Sequence, residues 1–414
     1  MFLSDTSRPR FAGLAIFLST ILLAAIAYAP GLGGPFLLDD GPNILQNPLL
    51  RIDGHAVDEW RTATMSGASG PLGRPVAMFT FALDHVLGDG FSAFTMKLFN
   101  LLLHIANAFL VYIFLRLVLS TPAFTAYAQP RLELIAGLAA LLWLFHPLHV
   151  STVLYVVQRM AILSALFTLA GLVVYLRFRL KWLANPACCK DVIELLSWLA
   201  FFFVLAILSK ENGFLLLPLV VLCEICLFRF RGCRTRAREL LLEPLVWVFV
   251  AVLLFSLYLL LYEDVASVMS MYRNREFTLI ERLMTQCRVL WHYIMWLVFP
   301  HPDSFGLYHD DLGVSRGFLN PVSTLVALSC WIAVAAFAIA LRSRMPILAF
   351  CLSFYLLAHS LESTFLPLEM AYEHRNYLPS VGVLLLVAWV AVWMGDYAGS
   401  RRQILFGIWR QYCR

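Results

Sequence analysis

Long apolar runs separated by short polar segments make up most of this chain. The runs lie at roughly residues 11–29, 97–119, 133–148, 160–178, 194–209, 213–228, 241–262, 283–300, 321–341, 346–361 and 379–395. Most of them approach the ~20 consecutive apolar residues that an α-helix needs to cross the hydrocarbon core of a bilayer. The pattern predicts an all-α, polytopic transmembrane protein with about 10–11 membrane helices.

The composition favours a membrane protein over a soluble one. Of the 414 residues, 61% are hydrophobic and 14% are charged, whereas a soluble domain has about 25% charged residues. A globular interior could not bury so much apolar surface, because single cores stop growing at a few hundred residues. Lipid is therefore expected to solvate most side chains. The nine cysteines are an odd number scattered along the chain, which predicts no disulfide framework.

Basic residues indicate which helix ends face the cytoplasm. Residues 177–181 and 229–238 are the two most basic loops, and the amino terminus and the segment 397–414 are also rich in arginine. Short cytoplasmic loops favour Lys and Arg, so we place all four on the cytoplasmic side. Residues 1–396 are expected to form one transmembrane domain, followed by a basic cytoplasmic tail at 397–414.

The charge pattern also favours ten crossings over eleven. With eleven crossings, the arginine-rich tail would lie outside, against the charge rule. The weakest run is 283–300, which contains Arg288 and His292, and we interpret it as a re-entrant or interfacial segment. Residues 30–95 then form a long first extracytoplasmic loop. The first apolar run has a basic start but no good cleavage site, so we expect an uncleaved helix.

Polar residues gather at the helix ends that this topology places outside. Asp39 and Asp40 directly follow the first helix, and adjacent carboxylates so close to lipid are costly unless they have a function. The other outer segments add a matching set: Arg74, His146, His149, Arg159, Lys210, Glu211, Glu373, His374, Arg375 and Asn376. Each alone is more typical of a helix cap or a structural ion pair. Several such clusters on one face predict a single extracytoplasmic site.

The residue types suit the transfer of a group from a phosphate-bearing donor. Arg and Lys neutralise phosphate, a carboxylate can act as general base towards an acceptor hydroxyl, and a histidine can relay a proton. The sequence has no P-loop, dinucleotide fingerprint or zinc-binding spacing. Nucleotide chemistry on the cytoplasmic side is therefore disfavoured, no nucleic-acid partner is expected, and a lipid-borne donor at the outer face is the natural alternative.

At these residues the chain resembles the GT-C glycosyltransferases, multi-helix enzymes that use polyprenyl- or dolichyl-phosphate sugars. Within them it is most similar to the TMTC-type protein O-mannosyltransferases and their bacterial relatives. The resemblance runs in family order between about residues 30 and 382. It is carried by FLLDD at 36–40, GRPV at 73–76, KLFNLLLH at 97–104, FHPLH at 145–149, Arg159, LSKE at 208–211 and RNYLPS at 375–380.

The resemblance implies a GT-C-like fold and an inverting sugar transfer in which an acid of the first outer loop is the base. That role carries over to Asp39 and Asp40, although Asp40 could instead position its neighbour. Arg159, Lys210 and Arg375 are then the candidates for binding the donor phosphate. The other residues named above would support the site or contact the acceptor, with Arg74 bracing the loop against the aspartates.

The expected partners are a polyprenyl-phosphate sugar donor, an acceptor protein or glycan, and the lipid bilayer. We expect a multi-pass protein of the inner (plasma) membrane with its active site on the periplasmic or extracytoplasmic side. No cofactor is expected to be required, although Asp39, Asp40 and Glu211 could offer oxygen ligands to a divalent cation. TMTC-type proteins carry a tetratricopeptide region after the membrane part, which these residues lack, so the acceptor is not implied. The segment EHRN at 373–376 is more similar to the bacterial relatives than to the animal proteins, so mannose is not implied either.

Other functions remain open at this point. A polyprenyl-linked oligosaccharide ligase or polymerase shares the phosphate-binding logic but usually lacks two aspartates directly after its first helix. A transporter or flippase of lipid-linked sugars would place ionisable residues near the bilayer midplane and show repeated halves, whereas here the charges lie at helix ends. A non-catalytic assembly factor would have no need of the retained acid and arginine set.

Overall fold

The computed structural model describes residues 8–88, 90–124, 128–229, 231, 272–273, 275–309 and 312–412, with side chains from residue 17 to residue 398. Within these residues the chain is helical and has no β-strand beyond an isolated bridge between Gly317 and Asn320. In chain order the helices are α1 (Arg8–Leu32), α2 (Val57–Thr64), α3 (Pro75–Gly88), α4 (Ala93–Leu119), α5 (Leu132–Leu144), α6 (Val150–Leu154), α7 (Arg159–Ala184), α8 (Cys189–Ser209), α9 (Leu216–Cys223), α10 (Leu279–Val298), α11 (Ser323–Leu341), α12 (Pro346–His359) and α13 (Ser380–Tyr412).

Several helical segments are long and apolar enough to cross a membrane, which confirms a polytopic all-α membrane protein. In the described part of the chain there are six, namely Ala93–Leu119, Val156–Ala184, Cys189–Ser209, Glu211–Phe228, Ser323–Leu341 and Ser380–Ala398. A seventh span results if Gln129–Leu144 and Pro147–Leu154, which meet at an angle of 48°, cross together. The predicted run at 241–262 lies outside the described residues, so the total of ten crossings stays a prediction.

The run that we excluded from the spanning helices forms α10. Thr278 begins it with a capping box, in which the side chain of Glu281 accepts a hydrogen bond of 2.8 Å from the Thr278 N–H. Arg282, Val289 and Tyr293 lie on one buried face, at the spacing of an amphipathic helix. This helix is not among the segments apolar enough to span, and its position relative to the membrane surface stays a prediction.

A central bundle of α4, α5, α7, α8 and α13 forms the main core. Polar groups on α4 hold parts of this bundle together, as the common helix face of Asn100, His104 and Asn107 predicts. The Asn100 amide donates hydrogen bonds of 3.2 and 3.3 Å to the carbonyl oxygens of Val153 and Val156. The Asn107 amide donates one of 3.0 Å to a carbonyl of α7. These amides therefore connect α4 to α7 and to the segment just before it by hydrogen bonds, as polar side chains do between membrane helices.

The apolar run at 133–148 is broken rather than continuous. Helix α5 ends at Leu144, and Pro147, which has no N–H to continue the helix, opens a short turn that leads into α6. The His146 side chain accepts a hydrogen bond of 3.2 Å from the backbone N–H of Leu148. A second interruption at Tyr155 precedes α7. These two breaks place polar side chains and backbone groups at one end of the bundle.

Candidate active site

A cavity of about 640 Å³ lies at this end of the bundle. It brings together seven predicted site residues from distant parts of the chain: Asp39, Arg74, Lys210, Glu211, Glu373, His374 and Arg375. Its lining does not include the other five: Asp40, His146, His149, Arg159 and Asn376. The polar lining also contains residues that sequence reasoning missed or left unassigned: Asn43, Ser69, Tyr155, Gln158, Asn212, Tyr308, Glu362 and Tyr372.

The two adjacent aspartates have different environments. Asp39 is exposed and lines the cavity. Asp40 is fully buried, and its carboxylate accepts backbone hydrogen bonds of 2.8 Å from Leu37 and 2.7 Å from Val157. Burial raises the pKa of the Asp40 carboxyl, although these hydrogen bonds and the charge of Lys97 oppose the rise. Asp40 therefore anchors the loop that follows α1, and Asp39 is the member of the pair that a ligand in the cavity can reach.

Tyr155 lies beside Asp39 in the cavity wall. The backbone N–H of Asp39 donates a hydrogen bond of 2.8 Å to the phenol oxygen of Tyr155. Burial raises the pKa of this phenol, and the negative charges of Asp39 and Asp40 raise it further. The phenol is therefore protonated at neutral pH. Because its oxygen already accepts from the backbone, its proton is available to the Asp39 carboxylate or to a ligand.

Lys210 and Glu362 form a buried ion pair at the cavity wall. The Lys210 Nζ lies 2.8 Å from Glu362 Oε1, and the two side chains are 10% and 9% exposed. Burial opposes ionisation of the Glu362 carboxyl, but the positive charges of Lys210 and Arg375 hold its pKa well below its usual range. The Glu362 carboxylate is therefore charged at neutral pH, and it holds the lysine side chain at the cavity.

Arg375 is the cavity arginine that interacts with backbone carbonyls instead of a carboxylate. It donates hydrogen bonds of 2.7 and 3.2 Å to the carbonyl oxygens of Glu369 and Met370. Its guanidinium carbon lies 5.2 Å from the ring centroid of Tyr372. Among the described residues, no carboxylate oxygen lies within 4.0 Å of its nitrogens. Its charge is thus not neutralised by direct contact with an acid.

Arg282 of α10 shapes the segment that carries Glu362. Its guanidinium is buried and donates hydrogen bonds of 3.0 Å to the Thr364 carbonyl and 2.8 Å to the Glu362 carbonyl, with a further one to the Leu368 carbonyl. One side chain therefore fixes several backbone positions between α12 and the turn at Glu373–Asn376. Sequence reasoning missed this role, because Arg282 directly precedes the apolar run at 283–300 and resembles an ordinary charged residue at a helix end.

Arg74 and Glu211 form a two-pronged ion pair. The Nε and NH2 groups of Arg74 donate hydrogen bonds of 3.1 and 2.8 Å to Glu211 Oε2. The prediction that Arg74 braces the loop against the aspartates is wrong, because its carboxylate partner is Glu211. Gly70 covers this pair with a φ of +73°, and a Cβ there would lie 1.9 Å from Glu211 Oε1. Only glycine fits both the conformation and the space.

Glu373 and His374 form the wall next to the loop before α11. The Glu373 carboxylate accepts a hydrogen bond of 2.7 Å from the backbone N–H of Gly306, and Tyr308 of the same loop lines the cavity. His374 stacks on Tyr372, with ring centroids 5.0 Å apart and planes at 22°. Burial and the charge of Lys210 lower the pKa of His374 well below its ordinary value. The imidazole is therefore neutral at pH 7.

Arg159 is buried behind the cavity wall. Its Nε donates a hydrogen bond of 2.8 Å to Asn100 Oδ1, and its NH1 lies 2.5 Å from Asp84 Oδ2. The guanidinium carbon is 4.8 and 4.7 Å from the ring centroids of Phe81 and Phe99. Its side chain is fully buried and engaged by protein groups. Its position does not favour the predicted contact with a donor phosphate.

The remaining predicted residues also lie outside the lining. His146 contacts the Leu297 carbonyl, with its Nε2 3.1 Å from that oxygen. His149 is fully buried, and its Nε2 lies 3.3 Å from the Ser380 hydroxyl. Asn376 donates a hydrogen bond of 3.3 Å to the Glu373 carbonyl. All three contact the helix ends and turns that carry the cavity residues.

Asp39, Asp40 and Glu211 are the possible ligands for a divalent cation, and their contacts in the structure bear on that possibility. Asp40 accepts hydrogen bonds from the backbone, and Glu211 is paired with Arg74, so two of the three proposed ligands have protein partners. Among the described residues, no group of three or more His, Cys, Asp or Glu is arranged to hold a metal ion.

The fold and the cavity define a polytopic helical membrane protein with a polar, charged cavity at one end of its helical bundle. Three curated proteins named protein O-mannosyl-transferase are similar to this chain. One from Caenorhabditis elegans is 26% identical over 237 residues, which is 56% of this chain and 31% of the relative. TMTC4 of Homo sapiens is 28% identical over 213 residues, covering 49% and 28%, and TMTC4 of Mus musculus is 28% identical over 227 residues, covering 52% and 30%.

These matches confirm a distant resemblance to the TMTC-type protein O-mannosyltransferases. The matched segment covers about half of this chain and less than a third of each relative's length. No family model matches the chain. No solved structure gives a significant match either.

Proposed function

We propose that this chain is a membrane glycosyltransferase of the GT-C type. It would move a sugar from a polyprenyl-phosphate donor to a hydroxyl group of an acceptor protein, glycan or lipid. The observation that carries the proposal is that the exposed carboxylate of Asp39 shares one cavity with Lys210 and Arg375. The distant similarity to protein O-mannosyl-transferases supports the same reaction class.

The reaction follows from the charges around the cavity. Asp39 removes the proton of the acceptor hydroxyl as the acceptor oxygen attacks the anomeric carbon of the sugar. The bond between that carbon and the phosphate oxygen breaks, and its electron pair leaves with the polyprenyl phosphate. Attack from the face opposite the leaving group inverts the anomeric configuration. The Tyr155 phenol accepts a hydrogen bond from the Asp39 backbone and so fixes the position of the loop that carries this carboxylate.

The leaving phosphate needs positive charge, and two cavity residues supply it in different ways. Arg375 has no carboxylate in direct contact among the described residues, so a phosphate can pair with it without displacing an acid. Lys210 already pairs with Glu362 and would share its charge between that carboxylate and the phosphate. Charge-assisted contacts of this kind stabilise the leaving group as the bond breaks.

The positions of Asp40 and Arg159 assign them supporting roles in this proposal. Asp40 holds the first outer loop against Val157, and Arg159 holds the start of α7 against Asn100 and Asp84. We therefore narrow the base to Asp39. The donor phosphate is assigned to Arg375 and Lys210.

The extracytoplasmic location rests on the direction of α7. The helix begins at Arg159, beside the cavity, and its 26 residues make it about 39 Å long. Its far end carries Arg177 and Lys181, at the basic loop that the charge rule assigns to the cytoplasm. The cavity then faces the opposite side, where a lipid-linked donor presents its sugar.

The test compares two Asp→Asn variants of the first outer loop. Asp39→Asn should abolish sugar transfer while leaving the expression level and the melting temperature in detergent unchanged. Asp53→Asn makes the same change at an exposed position outside the cavity lining and should retain activity. Full activity of Asp39→Asn would remove the base assignment.

The sugar and the acceptor are found by mass spectrometry. Glycans on outer-surface proteins and lipids are compared between cells with and without the wild-type chain, and between wild type and Asp39→Asn. A glycan that depends on both the chain and Asp39 identifies the transferred sugar and its acceptor. If no glycan depends on the chain, the glycosyltransferase proposal fails.

A further inference from the structure

A second cavity lies far from the candidate active site, between the end of α9, α11 and α12. It measures about 770 Å³. Its walls are mainly apolar and include Ala335, Ile339 and Leu352. Arg229 and Arg342 also line it, and the described residues of its lining include no Asp or Glu. We call this cavity the arginine groove.

The arginine groove runs along α12, and its two arginines lie at the end of the helices opposite the candidate active site. Helix α12 runs from Pro346, which lines the groove, to His359, just before the cavity residue Glu362. Its 14 residues span about 21 Å. The segment from Glu211 to Phe228 makes the same crossing, from the cavity to the groove. Arg229 and Arg342 therefore lie near the ends of these segments that are remote from the candidate active site.

The described residues do not neutralise the charge at the groove by direct contact. Arg229 and Arg342 are exposed, and among the described residues neither guanidinium has a hydrogen-bond or ion-pair partner. The nearby acid Glu224 is buried and accepts hydrogen bonds of 2.8 and 2.9 Å from Arg179. Two unpaired cations thus lie at the mouth of an apolar groove between membrane helices.

We propose that the arginine groove binds one anionic phospholipid. The phosphate lies between Arg229 and Arg342, and one acyl chain lies along the apolar wall of α11 and α12. An anionic lipid can interact with both parts of the groove at once. Its phosphate pairs with the arginines, and its acyl chain packs against the apolar wall. A zwitterionic lipid would fill the wall but would bring its own positive charge to the arginines. The proposal does not depend on the glycosyltransferase assignment.

The test measures lipid selectivity in nanodiscs made from equal amounts of phosphatidylglycerol and phosphatidylcholine. The protein is extracted gently, and the lipids that remain bound are counted by native mass spectrometry. Wild type should retain phosphatidylglycerol in preference to phosphatidylcholine. Arg229→Gln and Arg342→Gln should each lower that preference by about fivefold. Arg344→Gln removes the same charge at an exposed position outside the groove lining and should leave the preference unchanged.

A further variant tests the apolar wall of the groove separately from the arginines. Ala335→Phe should reduce retention of phosphatidylglycerol while leaving both arginines in place, because the ring occupies the space of the acyl chain. Equal losses in Arg344→Gln and the groove variants would mean that general surface charge attracts the lipid, and would overturn the proposal. So would a wild-type protein without preference for phosphatidylglycerol.

The wild-type chain also provides a measurement that does not depend on variant folding. Phosphatidylglycerol should raise its melting temperature in detergent more than phosphatidylcholine does. High salt should weaken this difference, because it screens exposed charges. Equal stabilisation by the two lipids would contradict a charge-selective groove.

Discussion

The backbone N–H of Asp39 donates a hydrogen bond of 2.8 Å to the phenol oxygen of Tyr155, which lies 116 positions further along the chain. This contact joins the first outer loop to the interruption between α6 and α7. It also places a neutral phenol next to the carboxylate that we propose as the base. The position of Asp39 therefore depends on a residue from another part of the membrane domain.

Tyr155→Phe should shift the pH dependence of sugar transfer. The variant keeps the aromatic ring but loses the hydroxyl, which can stabilise the charged carboxylate by donating a hydrogen bond. Without that donor the charged form of the carboxylate is stabilised less, so the acidic limb of the pH–rate profile should move to higher pH. The rate at the optimum should fall about tenfold. Tyr308→Phe is the control, since Tyr308 lines the same cavity without contacting Asp39 through a described hydrogen bond. Unchanged profiles for both would exclude this role of Tyr155.

Asp40→Asn should destabilise the protein more than Asp39→Asn. The Asp40 carboxylate accepts two backbone hydrogen bonds in a fully buried site, and an amide can replace only one of its oxygens. We expect a loss of about 1–3 kcal/mol, seen as a lower melting temperature and a lower yield of monodisperse protein. Asp39 is exposed, so its variant should melt like wild type. Loss of activity in Asp40→Asn with an unchanged melting temperature would reverse the roles that we assign.

Lys210 and Glu362 should show strong coupling in a double-mutant cycle. Removing one partner leaves the other buried and uncompensated, so Glu362→Gln and Lys210→Met should each cost about 3–5 kcal/mol. The double variant should cost much less than the sum of the two. Additive costs would show that the ion pair is not energetically coupled.

The same pair should become less stabilising in acid. The folded-state pKa of Glu362 is lowered, so its contribution is fully present above its unfolded pKa of about 4.3 and is lost as the pH falls through the folded-state pKa. The difference in melting temperature between wild type and Glu362→Gln should be constant from about pH 6 to pH 8 and shrink below about pH 4. A difference that grows in acid would contradict the assigned sign.

Arg375→Gln should weaken binding of the donor more than Arg275→Gln. Arg375 lines the cavity and lacks an acid partner among the described residues, whereas Arg275 pairs with Glu369 and lies outside the lining. Loss of a charge-assisted phosphate contact should lower donor affinity at least about tenfold. The measurement is a binding titration with a polyprenyl-phosphate sugar on protein whose melting temperature has been checked. Equal affinity in the two variants would remove Arg375 from the phosphate site.

The helices could be predicted from sequence because lipid permits few alternatives. A chain in hydrocarbon must satisfy its backbone hydrogen bonds within each segment, so runs of apolar residues become helices. The gathering of Asp39, Lys210 and Arg375 also followed from topology, since their helix ends share one predicted side. The break at Pro147 could be foreseen less well, because the apolar run continues through it.

The detailed roles within the site could not be predicted, because they depend on side-chain direction. Asp39 and Asp40 are neighbours in sequence, yet one lines the cavity and the other contacts Val157. Gln158 lines the cavity, but Arg159, the next residue, starts α7 on a different face and contacts Asp84. Glu362 was missed because a single acid after an apolar run resembles an ordinary helix end. Its importance comes from Lys210, 152 positions earlier.

The contact between Asp40 and Val157 has a consequence for the order of folding during synthesis. The loop that contains Asp40 leaves the ribosome before α4, α5 and α7 have been made. Its carboxylate can accept the hydrogen bond from the Val157 N–H only after that residue has been synthesised, more than a hundred residues later. The first loop therefore remains incompletely folded until then. A variant that slows insertion of α7 would prolong this incompletely folded state and expose the loop to proteases at the membrane surface.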